Sequence, residues 1–482
     1  MGELRQEVVL HEPDGVEAHA LREHGLLDAL VKDPRFFAAV PWSRHLDLEK
    51  DVELHSGSLP RCVVVMPRAP MCEARRFVGE PRAEDIGMST DESTTVSVTD
   101  AWRAFCGRLA DMGAVIEGGD FPQDALAQAE GVRFLARMTA LALQQATDFS
   151  DPDFPVIYRL NDDATKWAGP NVDNIYLAAA VKHPHVYTLR GTTARSGGFI
   201  LQTLTGWWGE ERFRIHDDRS SSVFVPETDG SIAITIGGPE QPTNWMPLHP
   251  DADCLFIREY AIDWATDDRC AFVLERVADE PVVQLVLDAA RVCGMLEQAA
   301  HWVEHTTVFW NKFEAQMMRP LEPNSFGPVF TAPGGGSDIF YGNGWVDLAP
   351  DDALIVHVTV PVARYWSLQL YNEAWYESLD FGSRCTNRNN TQVHVDADGV
   401  VRFVIATRDP GTPNWLDLAG HQRAFAHFRA VWCTAATQPR CTLTTIDAVR
   451  DLLPTDHPVI SPAQRIDELR TRHAQVTRRH RR

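Results

Sequence analysis

Hydrophobic residues recur at two different periods along this chain, and the change of period divides it. Over roughly the first 150 residues the spacing is helical. Trp102, Phe105, Leu109 and Met112 share one face, as do Val132, Leu135, Met138 and Ala142. Phe121-Pro122-Gln123-Asp124 breaks the chain before the second of these helices. From Val156 onwards the apolar runs become short, β-branched or aromatic, and are bounded by Gly, Pro and Asp. Residues 186–189, 199–204, 223–225, 232–236, 254–260 and 271–277 are therefore expected to be strands. A helical stripe returns at Val282, Leu285, Ala289, Val292, Leu296 and Ala299, with Asp279 and Pro281 near its start. It is expected to run on towards Phe313. Beyond Pro333-Gly334-Gly335-Gly336, strands resume at 354–360, 366–371, 392–395, 401–406 and 424–432. The Pro-, Gly- and charge-rich stretch 41–94 offers only one short strand candidate, 62–66.

Two of these stretches spell the same pattern. Leu201-Gln202, Asp229-Gly230, Pro242-Thr243-Asn244-Trp245 and Arg258 recur in order as Leu368-Gln369, Asp398-Gly399, Pro413-Asn414-Trp415 and Arg429. The offset stays near about 170 positions throughout, and repetition at that length implies two similar units with separate cores. The expected fold is mainly β with α, built as two tandem jelly-roll or β-sandwich units. A mainly helical N-terminal region would occupy residues 1–150 and the first unit 151–280. A helical spacer and linker would follow over 281–335, the second unit over 336–455, and a helical basic tail over 456–482. What both copies keep reads as architecture. What only one copy has is where chemistry should be sought.

Composition narrows the classes. A chain of 482 residues is too long for one core. Its net charge of -22 argues against a nucleic-acid partner, which requires a basic surface. The basic run Arg478, Arg479, His480, Arg481 and Arg482 reads as a frayed, solvated tail. The nine cysteines include no Cys-x-x-Cys pair, so neither a disulfide scaffold nor a zinc ribbon is indicated. The N-terminus carries Glu3, Arg5 and Glu7 without an apolar signal region, and no stretch is apolar enough for a membrane span. A cytoplasmic protein without a membrane partner is the expectation.

Several segments resemble a known family. Asn171-Val172-Asp173-Asn174-Ile175-Tyr176 is one, and Asn244-Trp245-Met246-Pro247-Leu248 with Arg258 and Asp263-Trp264 is another. With Asn414-Trp415-Leu416-Asp417-Leu418-Ala419-Gly420-His421, they are similar to the bacterial proteins grouped as domain of unknown function 1214. The resemblance spans residues 102–454, and its Asn-Trp segments are the most specific part. It implies tandem jelly-roll-like modules, often in oligomers and frequently accompanied by domain of unknown function 1254. A homo-oligomer is expected on that ground. It implies no settled chemistry.

The common catalytic signatures are absent: no Gly-x-Ser-x-Gly elbow, no P-loop, and no Gly-x-Gly-x-x-Gly opening a helix. His301-Trp302-Val303-Glu304-His305 matches an inverted zincin string, and His183-Pro184-His185 resembles the His-x-His of metal-binding cupins. Each lacks its remaining ligands or context, so no metal and no cofactor are expected. Gly334, Gly335 and Gly336 read as linker rather than phosphate cradle. The duplicated Asn-Trp pairs read first as core anchors whose Asn amide closes a turn. Arg258 and Arg429 are each expected to pair with a carboxylate beneath a sheet.

The second copy alone adds Asp417 and His421, an expected acid–base pair. It also carries Tyr371, Asn372, Trp375 and Arg384, which with Asn414 and Trp415 would line a substrate pocket, and Asp380 and Asn387 nearby. The reading is a cytosolic enzyme of small-molecule metabolism using side-chain acid–base chemistry in a pocket of the second β unit. The alternative is a non-catalytic small-molecule or carbohydrate-binding or assembly protein. A weaker alternative is a metal-dependent jelly-roll enzyme using His183, His185, His301 or His305.

Overall fold

The computed structural model describes residues 97–118, 122–284, 286–317, 321–332, 336 and 339–480. The stretch 41–94, its strand candidate at 62–66, most of the glycine linker, and Arg481 and Arg482 lie outside the described residues.

Two helices come first, α1 (Val98–Glu117) and α2 (Ala125–Asp148). Asp124 starts α2 as the break predicts. Its carboxylate accepts from the N–H groups of Leu126 and Ala127, both at 3.0 Å, and satisfies two of the donors a helix start leaves open. Nine strands follow: β1 (Tyr158–Asn161), β2 (Asn174–Ala180), β3 (Val186–Thr192), β4 (Phe199–Thr205), β5 (Arg214–Ser220), β6 (Ser231–Ile236), β7 (Trp245–Met246), β8 (Cys254–Tyr260) and β9 (Val273–Val277). After α3 (Ala289–Met317) come β10 (Ser325–Phe326), β11 (Phe330–Thr331), β12 (Ile339–Asp347), β13 (Asp352–Thr359), β14 (Val362–Asn372) and β15 (Asn387–Asn389). Then follow β16 (Val400–Ala406), β17 (Trp415–Asp417), β18 (Arg423–Ala435), β19 (Arg440–Thr445), α4 (Val449–Leu452) and α5 (Pro462–Arg479). The fold is mainly β, with helices.

The strands form four sheets. One has the order β1-β2-β8-β4-β5 and another the order β7-β6-β3-β9. The remaining two run β10-β12-β18-β14-β15 and β17-β16-β13-β19, the same order ten strands later save at the first edge. Even the exceptional parallel pairing recurs: β7 lies parallel to β6, and β17 parallel to β16. Alternation decides what each strand buries. Leu255 and Ile257 of β8 join Leu189, Ile234 and Leu274 in one cluster drawn from both sheets of the first pair. Leu368 and Leu370 of β14 do the same with Val356 and Phe403 in the second. The opposite face of β8 and β14 is also covered, so both strands are buried along most of their length. There Ile200 and Tyr260 meet Ile339, Tyr365 and Val431.

Four expectations need correction. Helix α3 begins at Ala289, not near Pro281; Val283 and Val286 in the stretch before it are 81% and 88% exposed, so that stretch buries little apolar surface to hold a helix. Residues 223–225 are not a strand; a short 3-10 turn, Ser221–Val223, precedes extended chain. Residues 392–395 form a loop, and the strand lies earlier, at the wholly polar Asn387–Asn389, whose pairing with β14 no hydrophobic count reveals. Nor is the C-terminus a frayed tail. Helix α5 opens on a capping box, Ser461 with Gln464, and buries Arg465, Arg472 and Arg479 against the body. Arg472 and Arg479 lie over the Trp264 ring at 4.6 and 4.3 Å and donate to the carbonyls of Phe381 and Val172. Guanidinium groups act here as core material, which a reading of charge as solvated surface misses.

Candidate functional site

The repeated Asn-Trp pairs are hooks. The Asn244 side chain accepts from the Val225 N–H and donates to the Val225 carbonyl, each at 2.8 Å. Asn414 does the same to His394, again at 2.8 Å twice. The indole N–H of Trp245 donates to Gly237 O at 3.0 Å, and that of Trp415 to Ala406 O at 3.2 Å. Asn414 and Trp415 thus spend their polar atoms on backbone. The architectural reading of the motif fits them.

Asp417 and His421 are not partners. Asp417 Oδ2 accepts from Arg384 at 2.8 Å, and its Oδ1 from the Ala419 N–H at 2.7 Å. His421 turns to helix α2 instead, with Nε2 3.0 Å from Glu130 Oε2 and Nδ1 2.9 Å from Leu418 O. Burial alone would lower the His421 pKa, but the Glu130 carboxylate outweighs it and the net direction is upward. Glu130 moves the other way: burial would raise it, and His421, Asn372 and Arg133 together hold it below its ordinary range. The physical reason for the correction is helical: α2 lies over the end of the second pair of sheets and offers the histidine a closer carboxylate than its neighbour in sequence.

Apart from the exposed Arg384, the expected pocket lining is interior. Asn372 donates to Glu130 at 3.0 Å and accepts from the Glu377 N–H at 3.0 Å. Trp375 donates to Ala127 O at 3.1 Å, and its ring packs so closely on Gly131 that a Cβ there would lie 2.5 Å from it. Tyr371 donates to Pro170 O at 3.0 Å and accepts from Arg429. Arg429 also donates to Gly169 O at 2.6 Å, and no carboxylate of the described residues pairs with it, contrary to expectation. Four phenols, Tyr371, Tyr176, Tyr376 and Tyr341, surround its charge. Arg258 donates to Gln202 at 2.5 Å.

Neither histidine string offers a free ligand set. Glu304 is held by Arg108 through two bonds of 2.6 Å, and His305 Nε2 lies 3.1 Å from Trp208 O. His185 pairs with Asp153 at 3.0 Å. Among the described residues one group of three side chains could hold a metal ion: His394, Asp396 and His457.

A cavity of about 510 Å³ opens where the loop after β1, the β14–β15 loop and α5 meet, and its walls carry Asp163, Lys166, Asp380, His473 and His480. Local hydrogen bonds fix Lys166. Asp162 accepts from the Ala164 and Thr165 N–H groups at 2.8 Å, and Asn161 clasps both backbone groups of Trp167 at 3.0 Å. The lysine is only 8% exposed. Its ammonium donates to the Ser378 carbonyl at 3.2 Å and sits 4.9 Å from the Phe381 ring centre. Loss of water lowers its pKa from 10.5 to about 8, although the Glu377 and Asp380 carboxylates oppose the shift. Asp380 accepts from the Gly382 and Ser383 N–H groups at 3.0 and 3.1 Å. Burial would raise its pKa, but the Ser383 hydroxyl, those backbone bonds and the lysine charge keep it below the usual range. Burial and the Arg479 charge push His480 down to about 2, so it faces the cavity neutral. Of this group the sequence reading singled out only Asp380, with His480 assigned to the tail. Lys166 is a lone lysine in a polar loop, and nothing local announces its burial.

Residues 347–435 match the family model described as Protein of unknown function (DUF1214), which bears out the resemblance over that stretch. Among solved structures, an uncharacterized protein from Burkholderia cenocepacia is similar at 28% identity and a TM-score of 0.69. The match covers 73% of this chain and all of that one, 100%. A protein from Vibrio parahaemolyticus aligns over 64% of this chain and 99% of its own at 10% identity and a TM-score of 0.37, too slight a likeness to inform the fold. No curated protein matches the chain. Among the described residues no helix is long and apolar enough to cross a membrane.

Proposed function

We propose that this chain, with its DUF1214 match over residues 347–435, is an enzyme of small-molecule metabolism whose acid–base group is Lys166. Its body is read as two tandem jelly-roll units related by duplication, supported by the repeated strand order and the two Asn-Trp hooks. The carrying observation is the desolvated lysine in the wall of a cavity of about 510 Å³, a volume suited to a small ligand. At a pKa of about 8 the amine exchanges a proton near neutral pH, and its neutral form is a nucleophile towards carbonyl carbon. Asp380 and Asp163 would orient polar groups of the substrate, and the second unit contributes through the β14–β15 loop. Tryptophan stacking on a carbohydrate receives less support, since Trp167, Trp264, Trp302, Trp366 and Trp375 are all core residues. A reducing, cytoplasmic setting is supported by the seven free cysteines among the described residues, and a homo-oligomer by the family resemblance.

Two measurements test the proposal. Competitive acylation of lysines, read by mass spectrometry, should show Lys166 half-titrated near pH 8, well below an ordinary lysine. A turnover screen against carbonyl and carboxylate metabolites should give an activity that rises through the same pH. Lys166→Met should remove that activity while leaving cooperative melting. Half-titration at the ordinary lysine value, or turnover that survives Lys166→Met, would sink the assignment.

A further inference from the structure

We propose that His394, Asp396 and His457 form a binding site for one divalent transition-metal ion. The three donor atoms lie within 4.8 Å of one another, and two of the contacts are closer. His457 Nδ1 is 2.7 Å and His394 Nε2 is 3.2 Å from the same oxygen, Asp396 Oδ1. Neighbouring ligands on an ion with bonds of about 2.1 Å stand about 3.0–3.4 Å apart, so both separations are near what coordination needs. Two imidazoles and one carboxylate suit zinc, iron, cobalt or nickel rather than calcium or magnesium.

The surroundings hold the donors in place. Arg402 occupies the other carboxylate oxygen, Asp396 Oδ2, at 2.7 Å and leaves Oδ1 to act as a single ligand. Asp398 accepts from Arg402 at 2.6 Å and offsets the cation beside the site. The Asn414 hook clamps the backbone of His394, and Arg450 donates to the His457 carbonyl at 2.6 Å. The His394 ring is 34% exposed, which leaves an ion a route from solvent. Three protein ligands also leave room on the ion for water or a small molecule.

The duplication makes the argument sharper. Asn244 hooks Val225 where Asn414 hooks His394. Two residues on, Glu227 donates its N–H to Ser231 O as Asp396 does to Val400 O, and Gly230 and Gly399 close the same turn. The first copy therefore has Val225, Glu227 and Ala233 at the places of His394, Asp396 and Arg402. The loop is common to both copies, while the ligands belong to one, and His457 reaches it from beyond the repeat. An ordinary structural requirement of the loop would not call for two histidines.

The test uses full-length, tag-free protein stripped with a chelator and titrated with Co²⁺ by absorption and with Zn²⁺ by calorimetry. One equivalent per chain should bind. His394→Gln should weaken binding by at least about tenfold, with the metal-free melting temperature unchanged because the ring is partly exposed. Glu227→Gln, at the matching place in the first copy, should leave binding intact. X-ray absorption of the wild-type Co²⁺ complex should show two imidazoles, which keeps the proposal testable if a variant misfolds. Absence of stoichiometric binding overturns it, as does an affinity unmoved by His394→Gln or a Co²⁺ shell without imidazole.

Discussion

The two pairs of sheets share a strand order and a hook, and differ in what hangs on them. In the first pair the Asn244 hook holds a valine, and Trp245 is only half-buried. In the second the same hook holds His394, and Trp415 is buried with the Arg465 guanidinium 5.2 Å from its ring centre. The paired Leu-Gln strands diverge as well. Gln202 accepts from Arg258 and donates to Asp218 at 2.6 Å, whereas Gln369 takes the backbone of Val172 and Pro170 at 3.0 and 2.9 Å. The hooks' backbone contacts recur in both copies because they build the fold. The contacts of the two glutamines drifted, since each serves only its own surroundings. Residues that differ between copies are thus informative only after their partners are known.

The largest expected effect tests the hooks as anchors. Trp415→Ala should cost about 3–5 kcal/mol, as for deletion of a buried aromatic side chain. Trp245→Ala should cost about 1–2 kcal/mol, in line with its shallower burial. Denaturant titration of both variants measures the difference. Equal losses would mean that the two copies carry equal weight, and the comparison would fail.

Next come the hook amides. Asn414→Ala leaves both backbone groups of His394 unanswered in a buried setting, at a cost of roughly 2–4 kcal/mol. Asn244→Ala removes the same two bonds where water can replace them, and should cost about 1 kcal/mol. A larger loss at Asn244 would reverse the ranking of the two loops.

What sequence could and could not reveal follows from the same distinction. Strand β8 was legible to its ends, because apolar and turn residues bound it on both sides. The repeat was legible because hooks need Asn and Trp by type. Strand β15 was not, since Asn387, Arg388 and Asn389 are polar and are buried by contacts from distant segments; Asn389, for one, donates to Asp173 at 2.7 Å. Lys166 and two arginines of α5, Arg472 and Arg479, were missed for a related reason: their burial depends on Phe381 and Trp264, far away in sequence. The pairing of Asp417 with His421 was inferred from proximity along the chain. Space gave each a different partner.

The His421–Glu130 pair joins helix α2 to the second pair of sheets, so its pH dependence reports on that side of the comparison. His421 is raised from its ordinary 6.5, so its stabilisation is complete below that value and is lost as pH rises through the folded value. Glu130 is lowered from 4.5, so its share is present above that value and is lost as pH falls through its folded value. The pair should therefore contribute most between pH 4.5 and 6.5. His421→Gln should cost about 1.5–3 kcal/mol there, as for a buried hydrogen bond to a charged group. The gap to the wild type should narrow by pH 9, read from melting curves across that range. A gap that widens with pH would contradict the ion pair.

The smallest expected effect concerns Arg384, the side-chain partner of Asp417. The Arg384 side chain is 49% exposed, so water and salt screen its 2.8 Å bond to Asp417. An ion pair of that kind contributes about 0–1 kcal/mol. Asp417 keeps its second role without the arginine, because Oδ1 still accepts from the Ala419 N–H, and Ala419 sits at a positive φ of 55° that this contact helps to hold. Arg384→Gln should therefore change stability by no more than about 0.5 kcal/mol, while Asp417→Ala, which removes both roles, should cost about 1–2 kcal/mol. Equilibrium denaturation of the two variants at low and high salt separates them: the Arg384→Gln effect should vanish in salt, and most of the Asp417→Ala effect should persist. If the two variants behave alike, the carboxylate is held for its charge rather than for the turn.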